Sequence, residues 1–168
     1  DYHDLLGDMA QKLVEKLPTL VGRPVKSRVF VDSSPLSERG VAQRSGLGWF
    51  GKNTNILLPG AGSWSFLAAV ILDLELEPDQ PLKKTCGTCT LCLESCPTQA
   101  LPAAYVLDGP RCISFLTIEL RDSIPHPLRP QMGSWIFGCD DCQEVCPVNR
   151  KAPLARLGAL RPQGIEDA

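Results

Sequence analysis

Eight cysteines, none before Cys86 in a chain of 168 residues, carry the strongest chemical signal. The first run is Cys86-x2-Cys89-x2-Cys92-x3-Cys96-Pro97. Three thiolates at this spacing lie on one tight loop that can wrap three corners of an iron–sulfur cube. The fourth, three residues further on, points away and ligates the other cube in two-cluster proteins. The second run, Cys139-x2-Cys142-x3-Cys146-Pro147, has Ile136 where its first member would stand. Cys112 is the cysteine left over, and it is expected to fill that corner from a distance. The spacing thus predicts two [4Fe–4S] clusters with exchanged ligands. The first takes Cys86, Cys89, Cys92 and Cys146; the second takes Cys96, Cys112, Cys139 and Cys142. Zinc also accepts Cys-x2-Cys pairs, and two zinc sites would use the same eight thiols, but the first run is a poor zinc pattern and a good cubane pattern. Disulfide scaffolds are usually short and stapled along their whole length. This chain is not, so a reducing cytoplasm is expected.

Two clusters in series form an electron relay, and something must hold the ends of it. Apolar residues at Tyr2, Leu5, Leu6, Met9, Leu13 and Leu17 recur at helical spacing, and Pro18 is expected to stop that helix. Val25 to Val31 reads as a strand ending at Asp32. Ser34 followed by Pro35 looks like an N-cap and first helical residue, with the helix running to about Ser45 and Gly46 beyond it. A glycine-rich loop follows, Gly46 to Thr54. It lacks the ending of a Walker motif, but its backbone amides and Lys52 could cradle phosphate or amide groups of a cofactor; a structural turn is the plainer alternative. Ile56 to Leu58 and Phe66 to Leu72 read as buried strands joined by the turn Pro59-Gly60-Ala61-Gly62. Residues 1 to about 75 are therefore mixed α/β. A polar, proline-containing linker leads into short elements punctuated by Cys and Pro.

Bulk properties narrow the field. Lys plus Arg number 17 against 19 Asp plus Glu, a formal net charge of −2, which predicts no strong bulk attraction to nucleic acid or membrane. No apolar run is long enough to span a bilayer. The chain starts at Asp1 and is expected to be a piece of a longer protein.

Four strings together resemble the epoxyqueuosine reductase family, which acts in queuosine formation in tRNA. They are Val31-Asp32-Ser33-Ser34-Pro35-Leu36-Ser37-Glu38-Arg39; Gly46-Leu47-Gly48-Trp49-Phe50-Gly51-Lys52-Asn53-Thr54; Arg111-Cys112-Ile113-Ser114-Phe115-Leu116-Thr117-Ile118-Glu119; and Gly138-Cys139-Asp140-Asp141-Cys142-Gln143-Glu144-Val145-Cys146-Pro147-Val148-Asn149. The resemblance implies an α+β chain. Residues 1–76 would be the C-terminal part of a cobalamin-binding catalytic domain, 77–150 a ferredoxin-type double [4Fe–4S] domain, and 151–168 the start of a truncated C-terminal region. It implies electrons passing through two clusters to cobalamin, and loss of the epoxide oxygen of the modified base. Asp32 falls on the family's proton donor, where burial against the corrin would keep it protonated; capping the following turn is the ordinary alternative for such an aspartate. Lys52, Asn53, Ile56 and Leu67 are expected to touch the cofactor, although Ile56 and Leu67 equally suit a core. Arg111, Ser114 and Thr117, beside the second cluster, are expected to face the anticodon region of tRNA, with Arg121 and Arg129 on phosphates. The expected partners are tRNA and an external electron donor, with no membrane, for a cytoplasmic monomer. The rival readings are a related corrinoid reductase such as a reductive dehalogenase, a ferredoxin-like carrier without catalysis, and a zinc-stabilised tRNA-binding module.

Overall fold

The first helix, α1 (Tyr2–Val21), runs past the proline expected to end it. Pro18 lacks a donor, yet it sits in the last turn, where one missing hydrogen bond costs little. Gly22 does the stopping: it takes the left-handed conformation at φ 71° and returns its N–H to the Pro18 carbonyl at 2.9 Å, a conformation glycine adopts without a Cβ penalty. Ala10 and Val14 form the buried stripe of α1, which packs on β1 (Ser27–Phe30). The computed structural model describes residues 1–153. The expected C-terminal region therefore lies outside the described residues from 154 onward.

Two small antiparallel sheets follow from the apolar runs, but not with the expected partners. β1 pairs with β4 (Ala69–Leu72), in register Ser27 to Leu72 and Phe30 to Ala69. β2 (Trp49–Phe50) pairs with β3 (Ile56–Leu57). The stretch from Phe66 becomes a strand only at Ala69, and the 59–62 turn joins two different sheets rather than one hairpin. Asp73 clamps the open end of β1–β4: its carboxylate accepts from the Lys26 amide at 2.9 Å and from Arg23 at 3.2 Å. Desolvation works to raise the Asp73 carboxyl, but the Lys26 amide and the Arg23 guanidinium outweigh it and hold the group below its ordinary value.

Helix α2 (Glu38–Arg44) starts three residues later than Pro35 suggests. The Ser34 hydroxyl accepts from the Leu36 amide at 3.2 Å, so the Ser-Pro pair builds a local turn instead of a cap. Gly46 does lie just beyond the helix, at φ 69°.

The second half is built from short turns. Helices α3 (Leu91–Ser95) and α4 (Asp141–Glu144) pack against each other. Each carries the last cysteine of a Cys-x2-Cys pair, Cys92 or Cys142, and ends just before a Cys-Pro step, so the duplication in the sequence becomes a pair of packed elements. Behind the later one, Ile113, Leu116 and Met132 form a buried core with Phe115, Leu120, Ile124, Leu128 and Trp135 around it. Ser114 and Thr117 belong to a π-helical turn at Phe115–Glu119 and its entry, closed by Leu120 N–H on Phe115 O at 2.9 Å.

The two halves are stitched together by side chains. Asn149, buried at 9 % exposure, accepts from Ser63 N–H at 2.7 Å and donates to the Ser63 hydroxyl and the Gln143 carbonyl, each at 2.8 Å. Gly62, at φ 73°, lets the chain pass so close that a Cβ there would collide with Asn149 Oδ1. Among the described residues no helix is long and apolar enough to cross a membrane.

Candidate iron–sulfur centre and acid site

All eight cysteines are free and half-buried, and they divide into two groups. Cys86, Cys89, Cys92 and Cys146 line one cavity with Lys52, Leu57 and Pro147. Cys96, Cys112, Cys139 and Cys142 line another of about 220 Å³, with Arg39, Asn53, Asp140 and Asp141 among its walls. In each group one cysteine comes from the other run. The cause is the Cys-Pro step: Cys96 leaves α3 with extended backbone (φ −70°, ψ 110°) and turns away from its own loop. Among the described residues no three His, Cys, Asp or Glu side chains converge as a single metal ion needs. The thiols surround a volume rather than a point, the donor set and spacing that suit a four-iron cube, since a lone zinc draws sulfurs to about 2.3 Å.

Burial and crowding among thiols raise their proton affinity. Burial, then Cys86, lifts Cys92. Burial pushes Cys139 up to about 11. Burial, followed by the neighbouring Cys139 and Cys112, pushes Cys142 up to about 12. Iron must displace these protons to bind.

The residues around the thiols are the ones expected to touch other things. Lys52 Nζ donates to the carbonyls of Gly87 and Cys89, both at 2.8 Å. Asn53, 5 % exposed, donates to the Cys142 carbonyl at 3.0 Å. Both were expected on a cofactor; in the structure both hold cysteine loops. Ile56 is buried at 5 % exposure within β3, which leaves it as core. Leu67 is half-buried outside any strand.

The same inward turn holds for the trio expected on tRNA. Arg111 Nε donates to the Thr98 carbonyl at 2.8 Å. The Ser114 hydroxyl accepts from Cys139 N–H at 3.1 Å, and the Thr117 hydroxyl accepts from Gly138 N–H at 3.0 Å while donating to Ile113 O. Arg111 thus holds the segment after Cys96-Pro97, while Ser114 and Thr117 pin the second cysteine loop, because the backbone there has no sheet or long helix to satisfy it. Arg129 Nε donates to the Ile124 carbonyl at 2.8 Å, and the side chain is exposed.

Asp32 stands apart from both cavities. It is the centre of a three-residue turn, with φ 55° and Ser33 N–H on Val31 O at 2.6 Å, a left-handed conformation rare outside glycine and concentrated at functional sites. Its N–H donates to Glu38 Oε1 at 2.7 Å. Its Oδ2 accepts from the Tyr2 hydroxyl at 3.1 Å and lies 3.2 Å from His3 Nε2. It does not cap the following turn. The carboxyl is 63 % exposed, so the described residues do not supply the burial expected of it. Tyr2 is raised above the usual phenol value, by burial first and then by the hydrogen bond to and charge of Asp32, so it remains a donor. The other ring nitrogen of His3 lies 2.8 Å from Asp1 Oδ1. In the sequence Tyr2 reads only as part of the apolar stripe of a helix, and neither it nor His3 carries a chemical role: they lie about thirty positions from Asp32, and no local pattern links them.

Residues 85–149 match the family described as a 4Fe-4S double cluster binding domain. The chain is 51 % identical over 152 residues to the epoxyqueuosine reductase of Xanthomonas campestris, covering 90 % of this chain and 42 % of that protein. It is 49 % identical to that of Vibrio cholerae over 169 residues, 100 % of this chain and 46 % of the relative. Among solved structures it superposes on an epoxyqueuosine reductase bound to an epoxyqueuosine-modified tRNA-Tyr stem loop, with TM-score 0.84, 40 % identity and coverage of 90 % of this chain and 40 % of the other. The Bacillus subtilis enzyme, described with an aspartate catalytic loop swung out of the active site, gives 0.83 at 39 % identity over 92 % of this chain and 40 % of the other. A reductive dehalogenase shares the fold at TM-score 0.56 and 19 % identity, over 77 % of this chain and 19 % of the other. The chain spans less than half the length of the curated relatives it matches. It is an α+β chain whose cysteine-rich part is a double [4Fe–4S] domain, and it belongs to the epoxyqueuosine reductase family.

Proposed function

We propose that the chain is the electron-delivering and proton-donating part of an epoxyqueuosine reductase that acts on tRNA in the cytoplasm. The observation that carries this reading is the sorting of eight thiols into two crossed groups, in a chain that also carries a strained, solvent-facing aspartate on another face. Residues 1–76 form part of the catalytic domain, and 77–150 hold the clusters. Removing an epoxide oxygen consumes two electrons and two protons and releases water. When bound, two [4Fe–4S] clusters and cobalamin supply the electrons. Cys86, Cys89, Cys92 and Cys146 hold the first cluster; Cys96, Cys112, Cys139 and Cys142 hold the second.

The protein's own part in the reaction is the proton. Ring opening leaves negative charge on oxygen, and a positioned acid that protonates it speeds such a step by about 10²–10⁴. Asp32 is that acid. Tyr2 and His3 fix one carboxyl oxygen, Oδ2, and leave Oδ1 to face the substrate. Asp32 and Leu67, the residues left to face cobalamin, line neither cysteine cavity. Lys52, Asn53, Arg111, Ser114 and Thr117 serve the cluster loops. An external donor feeds the clusters, and the enzyme acts as a monomer.

In the full-length enzyme, Asp32→Asn is expected to keep both clusters and to lower conversion of epoxyqueuosine to queuosine in tRNA by about 10²-fold or more, read by mass spectrometry of digested tRNA. Unchanged conversion would remove Asp32 from the reaction.

A further inference from the structure

The two cysteine cavities differ in charge. The first is lined by one cation, Lys52, and no carboxylate. The second is lined by Asp140 and Asp141 against Arg39 alone. Lys52 is also fixed. Its ammonium is held at 2.8 Å by two carbonyls of the first cysteine loop, and its own carbonyl accepts from Tyr105 N–H at 2.9 Å. Its neighbour Asn53 grips the Cys142 loop from the same turn. One turn between β2 and β3 thus touches both loops, with a charge on one side only.

Reducing a cubane adds a negative charge. A cation nearby stabilises the reduced state and raises the potential, whereas carboxylates lower it. We propose that Lys52 is a positioning residue that sets the first cluster at the higher reduction potential, so that a single electron shared by the pair resides on the cluster held by Cys86, Cys89, Cys92 and Cys146. The inference rests on the two-cluster reading and goes beyond it by ranking the two sites. The second cluster then becomes the step that must be driven, and full reduction of the pair waits for a second electron.

The test is a redox titration of the full-length protein, followed by electron paramagnetic resonance, for the parent, Lys52→Met and Lys52→Arg. Cys92→Ser, which alters a ligand of the first cluster, identifies that cluster's signal. In the parent the first cluster is expected to reduce first. Lys52→Met is expected to lower its potential selectively, or to remove that cluster alone, while Lys52→Arg keeps the parent order. Two unmoved potentials in Lys52→Met, equal shifts in both, or loss of both clusters would overturn the assignment. A parent protein without iron would instead sink the two-cluster reading, so the two failures are distinguishable.

Discussion

Asp32 and Cys142 show how a side chain's surroundings decide its chemistry. The aspartate is exposed on a strained turn, gripped on one oxygen by groups from the start of α1. The cysteine is buried among other thiols, and its proton is correspondingly hard to remove. With Cys139 and Cys142 raised to about 11 and 12, protons compete with iron at every pH below those values. Falling pH therefore favours metal release, and the second cluster carries the heavier competition. In the metal-free chain the same raised values contribute stability that is full below the unfolded thiol's pKa of about 8.5 and lost as pH climbs through 11 to 12. Stepwise acidification under anaerobic conditions is expected to bleach the second cluster first, read by visible absorbance with paramagnetic resonance. Equal loss of the two, or earlier loss of the first, would contradict this. The cysteines were legible in the sequence because a cubane loop is a local object with fixed spacing. Tyr2 and His3 were not, because only the fold brings α1 beside the end of β1.

Among the elements, the turns between short strands do more than the strands themselves. The glycine-rich segment reads equally as an anion cradle or as a structural turn, and a sequence has no means of showing which side of a turn faces a cofactor. Here the Lys52 and Asn53 side chains are occupied by the cysteine loops. The start of α2 was misplaced for a similar reason: Ser34-Pro35 has the chemistry of a cap, and the hydroxyl was satisfied two residues away instead. The 59–62 turn has its own load. Gly62 must pass beside Asn149, whose side chain ties the first half of the chain to the second cysteine loop. Gly62→Ala adds a Cβ at φ 73° and into that contact, and is expected to cost about 1–3 kcal/mol in anaerobic denaturant unfolding. An unchanged midpoint would show that the stitch contributes nothing.

For the whole molecule, the α/β half and the cysteine half are joined by hydrogen bonds from Lys52, Asn53, Ser63 and Asn149, so the division near residue 77 is a change of texture rather than a gap. Cluster loops without long elements of their own borrow their rigidity from the neighbouring half. In the proposed function the thiols would hold the iron, the side chains of Lys52 and Asn53 hold the cysteine loops, and Asp32, on a separate face, would meet the substrate oxygen. The most direct test is metal and sulfide analysis of oxygen-free, full-length protein together with paramagnetic resonance after reduction. Two cubanes predict about eight irons and eight sulfides per chain and two interacting reduced-cluster signals. Colourless protein that contains zinc and no sulfide would contradict the account.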